Sequence, residues 1–293
     1  MIKNILTIDI EGWLQSSLDI LGPEYSMLPR PIYPDNRVVD NTKRILTLLD
    51  KYNCKATCFV LGTVAEKFPN LITDINNAGH EIATHGYAHE LVYTLNQNDF
   101  YADLKKSITL IEKITNVKVR GYRAPYGSIT NESNWVFNIL VNNGIEYDSS
   151  IFPSRGKYGG MVYDNLFPHS LKLNNGNGLI ELPISTINLL NKKIPLGGGY
   201  FRIFPYYFFR KGINRINNKK QPAVFYFHPY EIDSDETKLP LQNEGIKTRF
   251  VRYTQGFNRK QNENKLCSLL SDFHWVSIRD WLSKYSNNLL LGD

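Results

Sequence analysis

Two histidines stand four residues apart in "EIATHGYAHE" (81–90), His85 and His89. Alone, the pair fits either a metal site or two histidines in a surface turn. Two carboxylates stand two apart in "TIDIE" (7–11), Asp9 and Glu11. On a strand end that spacing aims both side chains the same way. One can then join the histidines around an ion while the other stays free as a base. Two imidazoles and one carboxylate leave coordination positions open for water and substrate, the arrangement of a catalytic rather than a structural metal site. The histidines, placed at i and i+4, are expected on a helical turn that presents two ring nitrogens to one ion. Arg123 and Tyr126 in "GYRAPYG", Asp148 in "YDSS" and His228 in "VFYFHPYE" complete the candidates.

The surrounding pattern explains how such distant residues could meet. "NILTIDI" reads as a strand, 36–52 as a helix, "KATCFVLG" (55–62) as a buried strand, and 98–115 as an amphipathic helix. Gly79 is placed to cap a helix that precedes the strand "HEIATHG". "KVRGYRAP", "IEYDSSIF", "GLIELPIST" (178–186), "PAVFYFHPYE" (222–231) and "HWVSI" (274–278) read as further strands, with a helix inside 257–272. Strand–helix alternation implies parallel strands with crossover helices. Seven or eight such strands predict a (β/α) barrel rather than an open sheet, α/β in class, forming one domain over 1–293. Barrel chemistry gathers at the C-terminal ends of strands, and each candidate above falls at such an end.

These ordered motifs carry a resemblance. With "ATCFVLG", "AGHEIATHGYAHE", "GYRAPYGSI", "YDSSIFP", "LPIST", "GGGYFRIFPY" and "FYFHPYE", the chain resembles the polysaccharide deacetylases of the NodB-homology class, carbohydrate esterase family four. Within that class it is similar to the subgroup associated with exopolysaccharide and O-antigen synthesis. The resemblance implies a distorted barrel, a divalent metal, most often Zn2+, and hydrolysis of an N-acetyl group on an amino sugar. By position it implies Asp9 as base, with Glu11, His85 and His89 as metal ligands. Arg123 would orient the base, and the Tyr126 backbone N–H would meet the oxyanion. His228 would be the general acid, with Asp148 as the carboxylate that orients it. Asp9→Asn and His228→Ala are then expected to spare folding and metal binding while cutting turnover. Two departures stand out: Ile10 and Gly12 occupy positions where relatives carry acidic residues. The tryptophan that often accompanies "YDSSIFP" is also absent.

Other features set bounds. Net charge is +6 with scattered basic residues, and the segment 210–220 reads as a solvated helix face. No nucleic-acid motif accompanies the charge, so no nucleic-acid partner is expected; an amino-sugar or glycan substrate is what the resemblance implies. No apolar run reaches the length of a membrane span, and the N-terminus does not read as a signal peptide. Three cysteines fit reduced thiols and a cytoplasmic location. Cys54 and Cys58 have a spacing a metal could use, but Cys58 lies in an apolar run and reads as buried. Long irregular segments cover 153–178 and 195–209. Within the latter, Tyr200, Phe201 and Arg202 suit either a sugar platform or a loop packed over the barrel mouth. Two other functions fit the same residues: a deformylase or other amide hydrolase on this scaffold, and an inactive carbohydrate-binding barrel.

Overall fold

The computed structural model describes residues 2–152, 160–161, 165–173, 178–190, 192–238, 241 and 244–290. The strands are β1 (Lys3–Ile10), β2 (Thr57–Val60), β3 (Glu81–Thr84), β4 (Gly121–Tyr122), β5 (Tyr147–Asp148), β6 (His169–Lys172), β7 (Gly178–Glu181), β8 (Thr186–Leu189), β9 (Lys192–Pro195), β10 (Val224–Phe227) and β11 (His274–Val276). Nine form one sheet, ordered β10-β1-β2-β3-β4-β5-β7-β6, with β11 also paired to β1. All of these pairings are parallel except β6 with β7. The sheet curls until the chain after β7 reaches β10. There Ser185 N donates to Val224 O (3.1 Å) and Tyr226 N donates to Leu196 O (3.2 Å). The fold is thus an α/β curled barrel whose seam is laced by irregular backbone. β6 and the separate β8–β9 hairpin were not expected from the sequence.

Alternation along β1 divides its side chains between two cores. Ile5 joins Phe59, Ala83, Tyr147, Ile180 and Val224 inside the barrel. Leu6, Ile8 and Ile10 face the crossover helices, among Val38, Ile45, Leu49, Leu104 and Ile108. Both faces are buried, as parallel strands under helices require. Thr7 and Asp9 therefore follow Ile5 to the barrel interior, and Glu11 follows just past the strand end. Ile10, the departure noted above, packs in the outer core, where a carboxylate would lie in an apolar layer without a partner. Gly12 caps the helix Trp13–Leu21, its N–H donating to Gln15 Oε1 (2.9 Å).

The helices expected at 36–52 and 98–115 appear as Arg37–Lys51 and Gln97–Thr115. Asn96 caps the second, its side chain accepting from the N–H groups of Asn98 and Asp99. Gly79 follows the helix Pro69–Asn77 with φ +79°, the left-handed turn expected of it. Cys54 and Cys58 are both buried, and all three cysteines are free thiols.

Candidate active site at the barrel mouth

Asp9 ends β1, His85 follows β3, Arg123 follows β4 and His228 follows β10. All four line one cavity of about 400 Å³ with Glu11, His89 and Tyr126. Tyr200, Tyr226 and Tyr230 form aromatic wall around them. A larger cleft of about 710 Å³ lies elsewhere, among Asp35, Arg37, Asp40 and Asp233. It contains none of the candidate residues, and its Arg37 is already paired with Asp233 at 2.8 Å.

The histidine pair is not on a helical turn. Residues 85–90 form a loop, with Gly86 at φ +76° and His89 itself at φ +59°. A left-handed histidine persists only when its surroundings fix it. Here Asp103 accepts from Tyr87 N (2.7 Å) and Ala88 N (3.0 Å), tying the loop to the helix Gln97–Thr115. On the other side Arg30 donates to His89 O, and Asp19 holds that arginine through two hydrogen bonds. A loop anchored at both sides does what one helical turn was expected to do.

Arg123 is buried and spends its donors on four acceptors. Nη1 reaches Asp9 Oδ1 (2.7 Å) and Thr7 Oγ1 (2.9 Å), Nη2 reaches Ser149 Oγ (2.8 Å), and Nε reaches Ser149 O (3.0 Å). Its guanidinium also lies 4.2 Å from the centre of the Phe59 ring. One Asp9 oxygen is thereby fixed, and Oδ2 is left facing His228 Nε2 at 3.8 Å. Because the Asp9–Arg123 pair is buried, Asp9→Asn would orphan a charge and cost stability. The buried pair therefore predicts a loss of stability in this variant, against the sequence-based expectation that it spares folding.

Glu11, His85 and His89 form a buried cluster whose donor atoms lie within 4.8 Å of one another. Glu11 Oε2 is 2.9 Å from His89 Nε2 and 3.8 Å from His85 Nε2. Neither contact has hydrogen-bond geometry, so this buried oxygen lacks a hydrogen-bond partner. His85 Nδ1 donates to Arg123 O (2.7 Å). That bond leaves its Nε2 lone pair aimed at the cluster, the outer-shell arrangement that orients a metal-bound imidazole. Burial lowers the His85 pKa, which favours the neutral ring a metal needs. Burial pushes the Glu11 carboxyl up, but His89 first, then His228 and His85, hold it at about 2. A buried carboxylate and two imidazoles converging on one point fit a divalent cation.

His228 stacks on Tyr230, ring centres 4.8 Å apart and 12° from parallel. Its Nε2 is 3.5 Å from Glu11 Oε1, and its Nδ1 is 3.7 Å from Glu231 Oε1. Burial pulls its pKa down, but Glu231, Glu11 and Asp9 outweigh that and raise it. The carboxylate behind His228 is therefore Glu231, not Asp148. Asp148 is buried beneath the site, accepting from Ser150 Oγ (2.6 Å) and Ser150 N (3.1 Å) and pairing across the sheet with Glu181. The strand end was read correctly for Asp148, but nothing in "YDSS" reveals that its carboxyl turns to its own loop. Glu231 lies three residues after His228 on a short 3-10 turn. That i, i+3 spacing was the signal available for it.

Arg202 Nη1 donates to Glu231 Oε2 (2.7 Å), both groups buried. Tyr200, Phe201 and Arg202 thus divide three ways on the helix Gly198–Ile203. Tyr200 lines the cavity, Phe201 packs in the core against Phe209 and Phe225, and Arg202 supports Glu231. The left-handed Tyr126 (φ +54°) sits at the cavity with its ring 4.9 Å from that of His89, and its hydroxyl donates to Ser16 O. Within 153–178, residues 153–159, 162–164 and 174–177 lie outside the described residues, and the described remainder is not all irregular, since it contains β6.

Residues 32–146 match the family model "Polysaccharide deacetylase". Residues 149–283 match a domain of unknown function, DUF3473. A peptidoglycan-N-acetylglucosamine deacetylase of Bacillus cereus is 29% identical over 167 residues, 56% of this chain and 60% of its own. A peptidoglycan deacetylase of Helicobacter pylori is 35% identical over 108 residues, 37% of this chain and 36% of its own. These matches support the polysaccharide deacetylase family. The chain spans under two thirds of either relative. Among solved structures, a Mycobacterium smegmatis protein assigned to the polysaccharide deacetylases superposes with TM-score 0.58 at 20% identity, covering 96% of this chain and 90% of its own. Puue allantoinase superposes with TM-score 0.53 at 14% identity, covering 86% and 82%. Both likenesses show the fold alone.

Proposed function

We propose that this polysaccharide deacetylase relative removes an N-acetyl group from an amino sugar of a cell-surface glycan, using a divalent metal, zinc first among candidates. The observation that carries the reading is the convergence of Asp9, Glu11, His85, His89, Arg123 and His228 on one cavity. When bound by Glu11, His85 and His89, such an ion polarises a carbonyl and makes water more acidic. The remaining roles belong to side chains of this chain. Asp9, oriented by Arg123, accepts the proton of the attacking water through Oδ2. The Tyr126 N–H is assigned to the oxyanion. His228 delivers a proton from Nε2 to the departing nitrogen, while Glu231 faces its other ring nitrogen and is steadied by Arg202. Asp148 has a structural role in this scheme.

The Asp-x-Glu spacing of Asp9 and Glu11 supports the exopolysaccharide or O-antigen setting. The free thiols of Cys54, Cys58 and Cys267 fit a reducing compartment such as the cytoplasm. An inactive carbohydrate-binding barrel would need a broken site, whereas each of these side chains is in place. The test is acetate release from N-acetylated glycans and sugar precursors. Wild-type protein should release acetate, and Asp9→Asn, assayed at a temperature where circular dichroism shows it folded, should slow release by about 10²–10⁴-fold. Equal rates for the two proteins would refute the assignment of Asp9. Release of formate from N-formyl sugars, without acetate release, would refute the deacetylase reading itself.

A further inference from the structure

The helix Ile246–Gly256 has two unlike faces. Toward the protein it buries Thr248, whose hydroxyl donates to Leu21 O (3.0 Å), and packs Val251 beside Trp13 and Tyr230. Away from the protein stand Ile246, Phe250 and Tyr253, at i, i+4 and i+7, followed by Phe257 just past the helix end. They are 90%, 67%, 74% and 50% exposed. Scattered exposed apolar residues are ordinary, but four aligned on one stripe are not. Every charged residue between 246 and 257 is basic: Lys247, Arg249 and Arg252. Arg252 is engaged by Glu244 (2.5 Å), and Arg249 lies 4.0 Å from the same carboxylate. Lys247, Arg249 and, on the next helix, Lys260 are exposed.

We infer that this helix is a docking face for the surface of an anionic lipid bilayer. An apolar stripe flanked by cations is what lies flat at a lipid interface, its rings among the acyl chains and its charges at the headgroups. The charge selects this occupant over a neutral glycan, and so does the aliphatic Ile246, the most exposed residue of the stripe. No described helix is long and apolar enough to cross a membrane. The inward side of the same helix borders the cavity. Gln255, on the same helix, lines the cavity and accepts from Arg202 Nη2 (3.4 Å). The inference does not depend on the deacetylase reading, because its test measures binding alone.

The test is co-sedimentation of the full chain with vesicles of phosphatidylcholine, with and without phosphatidylglycerol. The protein should sediment with the anionic vesicles, less so as salt rises. Phe250→Ser/Tyr253→Ser/Phe257→Ser should weaken binding by more than about tenfold. Lys247→Glu/Lys260→Glu should do likewise through charge alone. Both sets lie on the surface, so thermal melting should stay unchanged. Absence of sedimentation with anionic vesicles overturns the inference, as does binding that neither variant weakens. It is overturned equally if the triple serine variant instead abolishes self-association, which would assign the face to a second copy. Loss of retention on an insoluble glycan in that variant, with vesicle binding intact, would assign it to the substrate.

Discussion

Replacing Arg202 by Met should destabilise the protein by about 3–5 kcal/mol, because it strands a buried carboxylate. Glu231 is the group at risk. Burial alone would push its carboxyl up, yet Arg202 first, then His228, hold it at about 2. Against an ordinary value of 4.5, that favours the ionised form within the fold by about 3 kcal/mol. The contribution is fully present above pH 4.5 and is lost as pH falls through 4.5 toward 2. Without Arg202 the Glu231 carboxyl should titrate higher, so stability should depend less on pH across that window. Urea unfolding over the same range measures both effects. The companion variant Arg202→Met/Glu231→Met removes the stranded charge and should recover most of the lost stability. It should still turn over slowly, because His228 then faces no carboxylate at Nδ1. If the double variant is as unstable as Arg202→Met alone, the loss comes from packing around residue 202 and the ion-pair argument fails. If it is both stable and fully active, Glu231 does not steady His228.

Two further outcomes test the scaffold. His80, whose Nδ1 accepts from Ala56 N (3.1 Å), is buried, and burial lowers its pKa to about 4. Stability should therefore fall by up to about 3 kcal/mol as pH drops from 6.5 toward 4, since only the unfolded chain takes up that proton. His80→Gln should flatten the slope, and an unchanged slope by urea titration would refute it. Gly197 has φ +138°, and a Cβ there would lie 2.0 Å from Tyr226 O. Gly197→Ala should accordingly cost about 3 kcal/mol or more by distorting the β10 seam, and an unchanged urea midpoint would contradict that placement.

The parts of the molecule that were legible in the sequence are those ruled by local periodicity. Alternation along "NILTIDI" placed Asp9 and Glu11 together, because β1 obeys the period of two up to its end. The helices Arg37–Lys51 and Gln97–Thr115 followed from their apolar spacing. The hairpin of β8 and β9, whose strands pair with each other, was not legible because Leu190 and Asn191 between them carry no glycine turn signal. The loop of His85 and His89 misled for a different reason. Its i, i+4 spacing imitates a helical turn, while its real shape is imposed by Asp103 and Arg30, neither adjacent in sequence. Asp148 and Glu231 show the same limit. Both stand near strand ends, and only tertiary contacts decide which carboxylate faces His228.

The central claim is that Glu11, His85 and His89 hold a divalent ion. The most direct measurement is calorimetric titration of zinc into metal-stripped protein, wild type beside Glu11→Gln and His85→Ala. The account requires about one tightly bound ion per wild-type chain and much weaker binding in each variant. Wild-type protein that takes up no metal, or variants that bind it as well as wild type, would contradict it.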